Sequence, residues 1–305
     1  MKHSILIKNL FVIFTLLFIL IGCSVQGESD PIVTPQSTET LTPFAPEPVT
    51  PTVTPLPLAA IVNGEEILLS DFNLEVAQFQ AALAEKEEVL SEEEVQNFVL
   101  NELIDQTLLS QSARKNGYTA DEQMLNDKIA DLAAEIGEMD ALQEWIAASG
   151  YSEEQFRLVL KRNMEAGWQR NQIIEELPEN IEQIHARQIL VFDRDSIDDV
   201  YATLELGFEF KDLAFLYDPQ TGGDLGWFPR GFLYLPEIEE VAYDLQQGEY
   251  SEIIETDYGF HIIYVEARST EQPLAVDAKL KLQFNLIADW MQQERDSSEI
   301  INLIL

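Results

Sequence analysis

Gly222-Gly223-Asp224-Leu225-Gly226-Trp227-Phe228, with Tyr258-Gly259-Phe260-His261-Ile262-Ile263 thirty residues after it, decides how the C-terminal half of this chain folds. Three glycines in five positions call for positive φ, and Leu225, Trp227 and Phe228 give such a turn a large apolar surface to present, the makings of a pocket wall. The second stretch reads as a hairpin. Ser251–Thr256 is β-prone, Asp257-Tyr258-Gly259 is a turn, and Phe260–Val265 is an apolar strand with one histidine inside it. A histidine in that setting must be hydrogen-bonded or functional.

Outward from these stretches the pattern predicts a strand over 184–192, a helix over 196–206 closed by Gly207, and a short helix over 209–216. The glycine turn follows, then a helix over 236–247 closed by Gly248, and the hairpin. Strands interleaved with helices in this order predict a small α+β unit with a mostly antiparallel sheet.

From about Ile184 to Arg268 this stretch resembles the parvulin family of peptidyl-prolyl isomerases. The shared motifs are the opening Ala186-Arg187-Gln188-Ile189-Leu190-Val191, the glycine turn, Pro236-Glu237-Ile238-Glu239-Glu240-Val241-Ala242-Tyr243 and the Tyr258–Ile263 strand. The resemblance implies catalytic roles for His261, for Thr256 beside it in the sheet, and for Asp218 ahead of the glycine turn. It implies a proline slot lined by Leu225, Leu233 or Tyr234, and Ile238, flanked by Phe260, with Phe228 in its wall. Two positions depart from the family. Gln188 replaces the first-strand histidine, which predicts reduced activity, although glutamine both donates and accepts and can still orient Thr256 or His261. Ile238 replaces the slot phenylalanine. His185, an odd number of residues before Gln188, falls on the opposite face of the strand.

Upstream, Ala59-Ala60-Ile61-Val62-Asn63-Gly64-Glu65-Glu66-Ile67-Leu68 holds two β-prone runs around an Asn-Gly turn, with Ser70 as a candidate N-cap. Capping-box spacings at Ser91/Glu94, Thr119/Glu122 and Ser152/Gln155 then open helical patterns. Leu125, Ile129, Leu132 and Ile136 make one stripe, and Gly117, Gly137 and Gly150 close successive helices. Four or five helices are expected between Leu58 and Leu177. The Val-Asn-Gly opening and Gly150-Tyr151-Ser152-x-Glu154-x-Phe156 resemble the chaperone module that accompanies parvulin domains in the SurA and PrsA foldases, where a helix beyond the parvulin domain returns to the N-terminal one. Leu280, Phe284, Ile287, Trp290 and Met291 share a helical face suited to that return. The expected fold class is therefore α+β: a discontinuous all-helical chaperone domain (58–179 with 275–305) into which a small parvulin domain (180–270) of antiparallel sheet and flanking helices is inserted.

At the N-terminus, Lys2 and Lys8 precede an apolar run from Leu10 to Ile21, the layout of an export signal over 1–22. Leu20-Ile21-Gly22-Cys23 resembles a bacterial lipobox, which implies lipidation of Cys23 and attachment to the membrane surface. Cys23 is the only cysteine, so no intrachain disulfide can form. Residues 31–57 hold eight prolines and seven threonines and no apolar periodicity. They read as a tether (23–57) able to span roughly 80 Å if extended.

The 55 acidic against 18 basic residues, a formal charge of −37, argue against nucleic-acid partners and against docking on anionic lipid. The resemblance implies an extracytoplasmic isomerase acting on X-Pro bonds of exported, unfolded polypeptides; twisting an amide requires no cofactor and no metal, and the sequence leaves a homodimer open. A holdase that binds clients without catalysis is the rival that Gln188 favours.

Overall fold

The computed structural model describes residues 56–304 apart from 87; the export segment, Cys23 and the tether up to residue 55 lie outside them. The chain divides into two compact units. One runs to Asn171 and takes back the segment from Gln293; the other is Gln172–Gln292.

In the first unit, β1 (Leu58–Val62) and β2 (Glu65–Leu68) form an antiparallel hairpin around Asn63 and Gly64, both at positive φ as a tight primed turn requires. Five helices follow among the described residues: α1 (Leu69–Lys86), α2 (Glu92–Lys115), α3 (Glu122–Ile136), α4 (Met139–Ala148) and α5 (Glu153–Glu175). Ser91 and Glu94 make a complete capping box, and Ser152 and Gln155 exchange the same pair of hydrogen bonds. At α3 the cap is Asp121, which accepts the Met124 N–H, and not Thr119. Ser70 already lies inside α1. The unit is also not purely helical. Near the C-terminus β7 (Ile300–Asn302) pairs with the free edge of β1, giving a sheet of order β2-β1-β7. Three residues of strand are too short for a sequence pattern to declare; only the partner strand reveals them.

Leu125, Leu132, Leu142, Trp145, Phe156 and Leu160 form one core cluster, with Ile129 and Ile136 packed at its margin as the α3 stripe predicts. A second, polar centre lies between α2 and α5. The fully buried Glu165 accepts from Ser110 Oγ at 2.6 Å, from Arg114 at 2.8 Å and from the Ala120 N–H at 3.3 Å. Because Arg114 also pairs with Glu65 and keeps contact with water, Glu165→Gln is expected to cost about 2 kcal/mol, below the loss from a fully isolated buried charge. Urea unfolding followed by tryptophan fluorescence measures it.

In the second unit β3 (Gln183–Val191), β4 (Asp224–Pro229), β5 (Ile254–Thr256) and β6 (Gly259–Ser269) form an antiparallel sheet of order β4-β3-β6-β5. Trp227 and Phe228, which the sequence pattern places in the turn, lie in β4. Helices α6 (Arg194–Glu205) and α7 (Phe210–Tyr217) cover one face, packing Ile197, Leu204 and Phe210 on Ile189 and Ile262. Helix α8 (Pro236–Asp244) covers the other, packing Ile238 and Ala242 on Ile184, Ala186, Ile263 and Val265. The two inner strands are buried on both faces, which is why their sequences read as almost continuous apolar runs. Helix α9 (Val276–Ser297) follows; of its expected stripe Leu280 and Phe284 stay exposed, and Ala278 is its one fully buried residue.

Candidate functional site

Side chains alternate across a strand, so the β6 sequence divides between the two faces. Phe260 and Ile262 face α6 and α7, while His261 and Ile263 face the α8 side. On that α8 side Gln188 and Leu190 of β3, and Ile254 and Thr256 of β5, share the face with His261. Phe260 is therefore not a flank of the expected slot. It packs with the α6–α7 layer, with the Arg194 guanidinium over its ring.

His261 is 1% exposed and makes two hydrogen bonds. Its Nδ1–H donates to Gln188 Oε1 at 3.0 Å, which leaves Nε2 to accept from the Thr256 hydroxyl at 2.9 Å. Thr256 Oγ1 also accepts the Tyr258 N–H at 3.1 Å, so the chain runs Gln188–His261–Thr256–turn. The half-buried Thr256 is where it meets the surface. Burial pushes the His261 pKa below its ordinary 6.5, and the nearby Glu237 opposes the shift. A buried neutral histidine makes stability pH-dependent with a definite sign. The unfolded chain takes up the proton near pH 6.5 and the folded chain only at lower pH. Its contribution is therefore intact above 6.5 and is lost as pH falls below that value. Urea midpoints of the wild type should drop between pH 7 and pH 5 more than those of His261→Leu; equal drops would contradict the assignment.

The glycine turn is brought to this network by backbone contact. Gln188 N–H donates to the Gly223 carbonyl at 2.8 Å. A Cβ on Gly223 would lie 1.8 Å from the Gln188 oxygen, so only glycine permits the approach. One residue further, the β3–β4 register slips between Ala186/Gly226 and Arg187/Asp224, leaving Leu225 as the extra residue of a bulge. The bulge turns Leu225 onto the α8 face, where it joins Leu233 and Ile254 at the margin of the Ile238 cluster.

The other expected residues divide. Phe228 and Ile238 are buried at 0% and 2% and belong to the core beneath the site, so they support its floor and do not meet solvent. Asp218 stays outside the histidine network: its carboxylate accepts from the Thr221 hydroxyl and from the amides of Gln220, Thr221 and Gly223. The Thr221 bonds hold its carboxyl below the usual range, and it acts as the brace of the turn. Tyr234, 84% exposed, sets its ring edge-on to Tyr258 at 6.2 Å between centroids, closing the loop of Leu233 onto the hairpin turn. His185 faces away, bound to Asp224 at 2.8 Å and Glu266 at 3.1 Å and stacked on Trp227.

Two residues that organise the site were not anticipated. The buried Glu239 carboxylate accepts the amides of Gly231, Phe232 and Leu233, fixing the loop that carries Leu233 and Tyr234. Arg187, on the opposite sheet face, donates to the carbonyls of Thr221 and Gly222 and pairs with Glu266 and Asp224. The signal for Glu239 was the loop before it, a run of backbone donors with no strand or helix partner in the pattern.

Residues 193–267 match the PPIC-type PPIASE domain family, and residues 1–168, more than half of the chain, match the SurA-like N-terminal domain family. The foldase protein PrsA of Geobacillus kaustophilus is 33% identical over 211 residues, covering 65% of this chain and 68% of that protein. The foldase protein PrsA of Caldanaerobacter subterraneus is 29% identical over 229 residues, or 68% of this chain and 73% of that one. A crystal structure of peptidylprolyl isomerase (PrsA) from Bacillus cereus aligns with 77% of this chain and 84% of its own, at 20% identity and a TM-score of 0.42.

Proposed function

Since the chain belongs to the PrsA foldases, peptidyl-prolyl isomerases with a SurA-like N-terminal domain, we propose that it turns X-Pro bonds on the sheet face shared by Thr256, His261, Gln188 and Leu225. The observation that carries this reading is the coincidence of a satisfied polar chain with a partly open apolar margin on one face.

Rotation about an X-Pro bond is opposed by amide resonance, and uncatalysed exchange takes tens of seconds or more. A twisted amide has lost that resonance and much of its dipole. An apolar margin that excludes water therefore favours it over the planar form. In this reading Leu225, Leu233 and Ile254 receive the proline ring, Phe228 and Ile238 support them from below, and Tyr234 borders the opening. Thr256 is the polar group that meets the peptide. His261 and Gln188 are positioning residues that hold its hydroxyl, and Asp218 holds the turn that carries Leu225. No bond is made or broken.

Gln188 occupies the place that favoured a purely binding chaperone, and its hydrogen bond to His261 supports catalysis instead. Replacing it by leucine removes one hydrogen bond, worth about 1 kcal/mol, and is expected to lower kcat/KM about five- to tenfold. Gln188→His, which can also bond His261, should retain activity. Proline-limited refolding of a secreted protein in the presence of the full chain tests the reading: no acceleration by the wild type would refute it.

Membership in a family of foldases and chaperones supports the reading that the chain works outside the cytoplasm on client polypeptides. Among the described residues no helix is long and apolar enough to cross a membrane. We further propose that Cys23 is lipidated after cleavage of residues 1–22, and that the Pro/Thr-rich stretch tethers the two units to the membrane. Mass spectrometry of the mature N-terminus tests this; an unmodified Cys23 would exclude it.

A further inference from the structure

On the sheet face away from His261, helices α6 and α7 leave a cleft of about 480 Å³ between them, lined by Val200, Thr203, Phe208, Leu213, Leu216 and Tyr217. Phe208 and Leu216 are 60% and 73% exposed, and Leu206 and Tyr217 beside them are also exposed. Several large apolar side chains exposed around one cleft are costly to leave in water and mark a surface that binds something. The charge around the cleft is one-sided. Asp199 and Asp212 line it, and residues 195–217 carry six acidic side chains with Lys211 as their only base.

We propose that this cleft is a second client site, which takes an extended segment of unfolded polypeptide whose apolar side chains alternate with lysine or arginine. The proposal rests on the foldase reading and adds to it a site that needs no proline. Phe208, Leu216 and Tyr217 supply the apolar contact, and Asp199 and Asp212 attract the flanking cations. Charge also argues against the other occupants. A second copy of this chain would bring −37 to an acidic rim, and the chain's own segment 31–57 contains no lysine or arginine. A client held here keeps its X-Pro bonds at high local concentration near the isomerising face of the same unit.

The test uses the full chain and a fluorescent, proline-free peptide of alternating leucine and lysine, followed by anisotropy. The wild type is expected to bind it. The double variant Phe208→Ser/Leu216→Ser should bind about tenfold more weakly or worse. Asp199→Lys should bind several-fold more weakly, and His261→Leu should match the wild type. Because the substituted side chains are exposed, thermal midpoints should stay level; if the double variant unfolds, Asp199→Lys alone decides. Unchanged affinity in Asp199→Lys and in a folded double variant overturns the proposal. So does absence of binding by the wild type, or a wild-type dimer that the double variant dissociates. A wild type that binds this peptide but does not speed proline-limited refolding removes the isomerase reading and leaves the cleft in place.

Discussion

His261→Leu is expected to keep the fold of the second unit and to lose about 30- to 100-fold in kcat/KM for proline-limited refolding. Leucine is close to histidine in volume, so no large cavity opens at this 1% exposed position. What disappears is the pair of hydrogen bonds to Gln188 and Thr256, at about 1 kcal/mol each with a further penalty for stranding the Gln188 oxygen. A total of about 2–2.7 kcal/mol, felt at the Thr256 hydroxyl, converts to that range of rates. Client binding through other surfaces should survive, so suppression of aggregation by the variant should match the wild type. Full isomerase activity in a folded His261→Leu protein would mean that Thr256 needs no orientation, and the site would have to be sought elsewhere.

Gly223→Ala should have the largest structural effect of any single methyl group added to this unit. The residue sits at φ +67°, and its new Cβ would lie 1.8 Å from a backbone oxygen that cannot rotate out of the way. Relieving that contact means pulling the glycine turn from β3, which breaks the Gln188–Gly223 hydrogen bond and lifts Leu225 from the site. A loss of about 4 kcal/mol is expected, a large part of the stability of a domain this size. Gly226→Ala is the control. It has nearly the same φ, +70°, but no atom within 4 Å of its Cβ, so it should cost only about 1 kcal/mol. Thermal unfolding with a midpoint well lowered in Gly223→Ala and barely moved in Gly226→Ala would bear this out. Equal shifts would show that backbone conformation matters here and the close approach does not.

Much of this was readable from local pattern. The glycine turn, the Ser91 and Ser152 caps, the α3 stripe and the order of β3, helices α6 to α8 and the β5–β6 hairpin all follow from rules that act within a few residues. The resemblance to parvulins likewise rests on short motifs, and it supplied His261 and Thr256; the holding role of Gln188 came from the donor and the acceptor that its amide carries. Local rules failed in two ways: neighbouring candidates competed for one cap, and elsewhere a partner distant in sequence set the answer. Thr119 lost the cap to Asp121, two residues on, and β7 exists only because β1 offers it an edge.

The sequence by itself determined most of the elements and their order, the acidic surface and the histidine at the centre of the candidate site, because propensity, periodicity and capping act over short spans. Tertiary structure alone decided which side chains meet there. The bulge at Leu225 turned that residue onto the face that carries His261, strand pairing sent Phe260 to the opposite one, and close packing sealed Phe228 and Ile238 beneath it. Glu239 acquired its role because three loop amides, left without strand or helix partners, needed an acceptor, and in a dry interior an amide takes whichever acceptor the fold brings near.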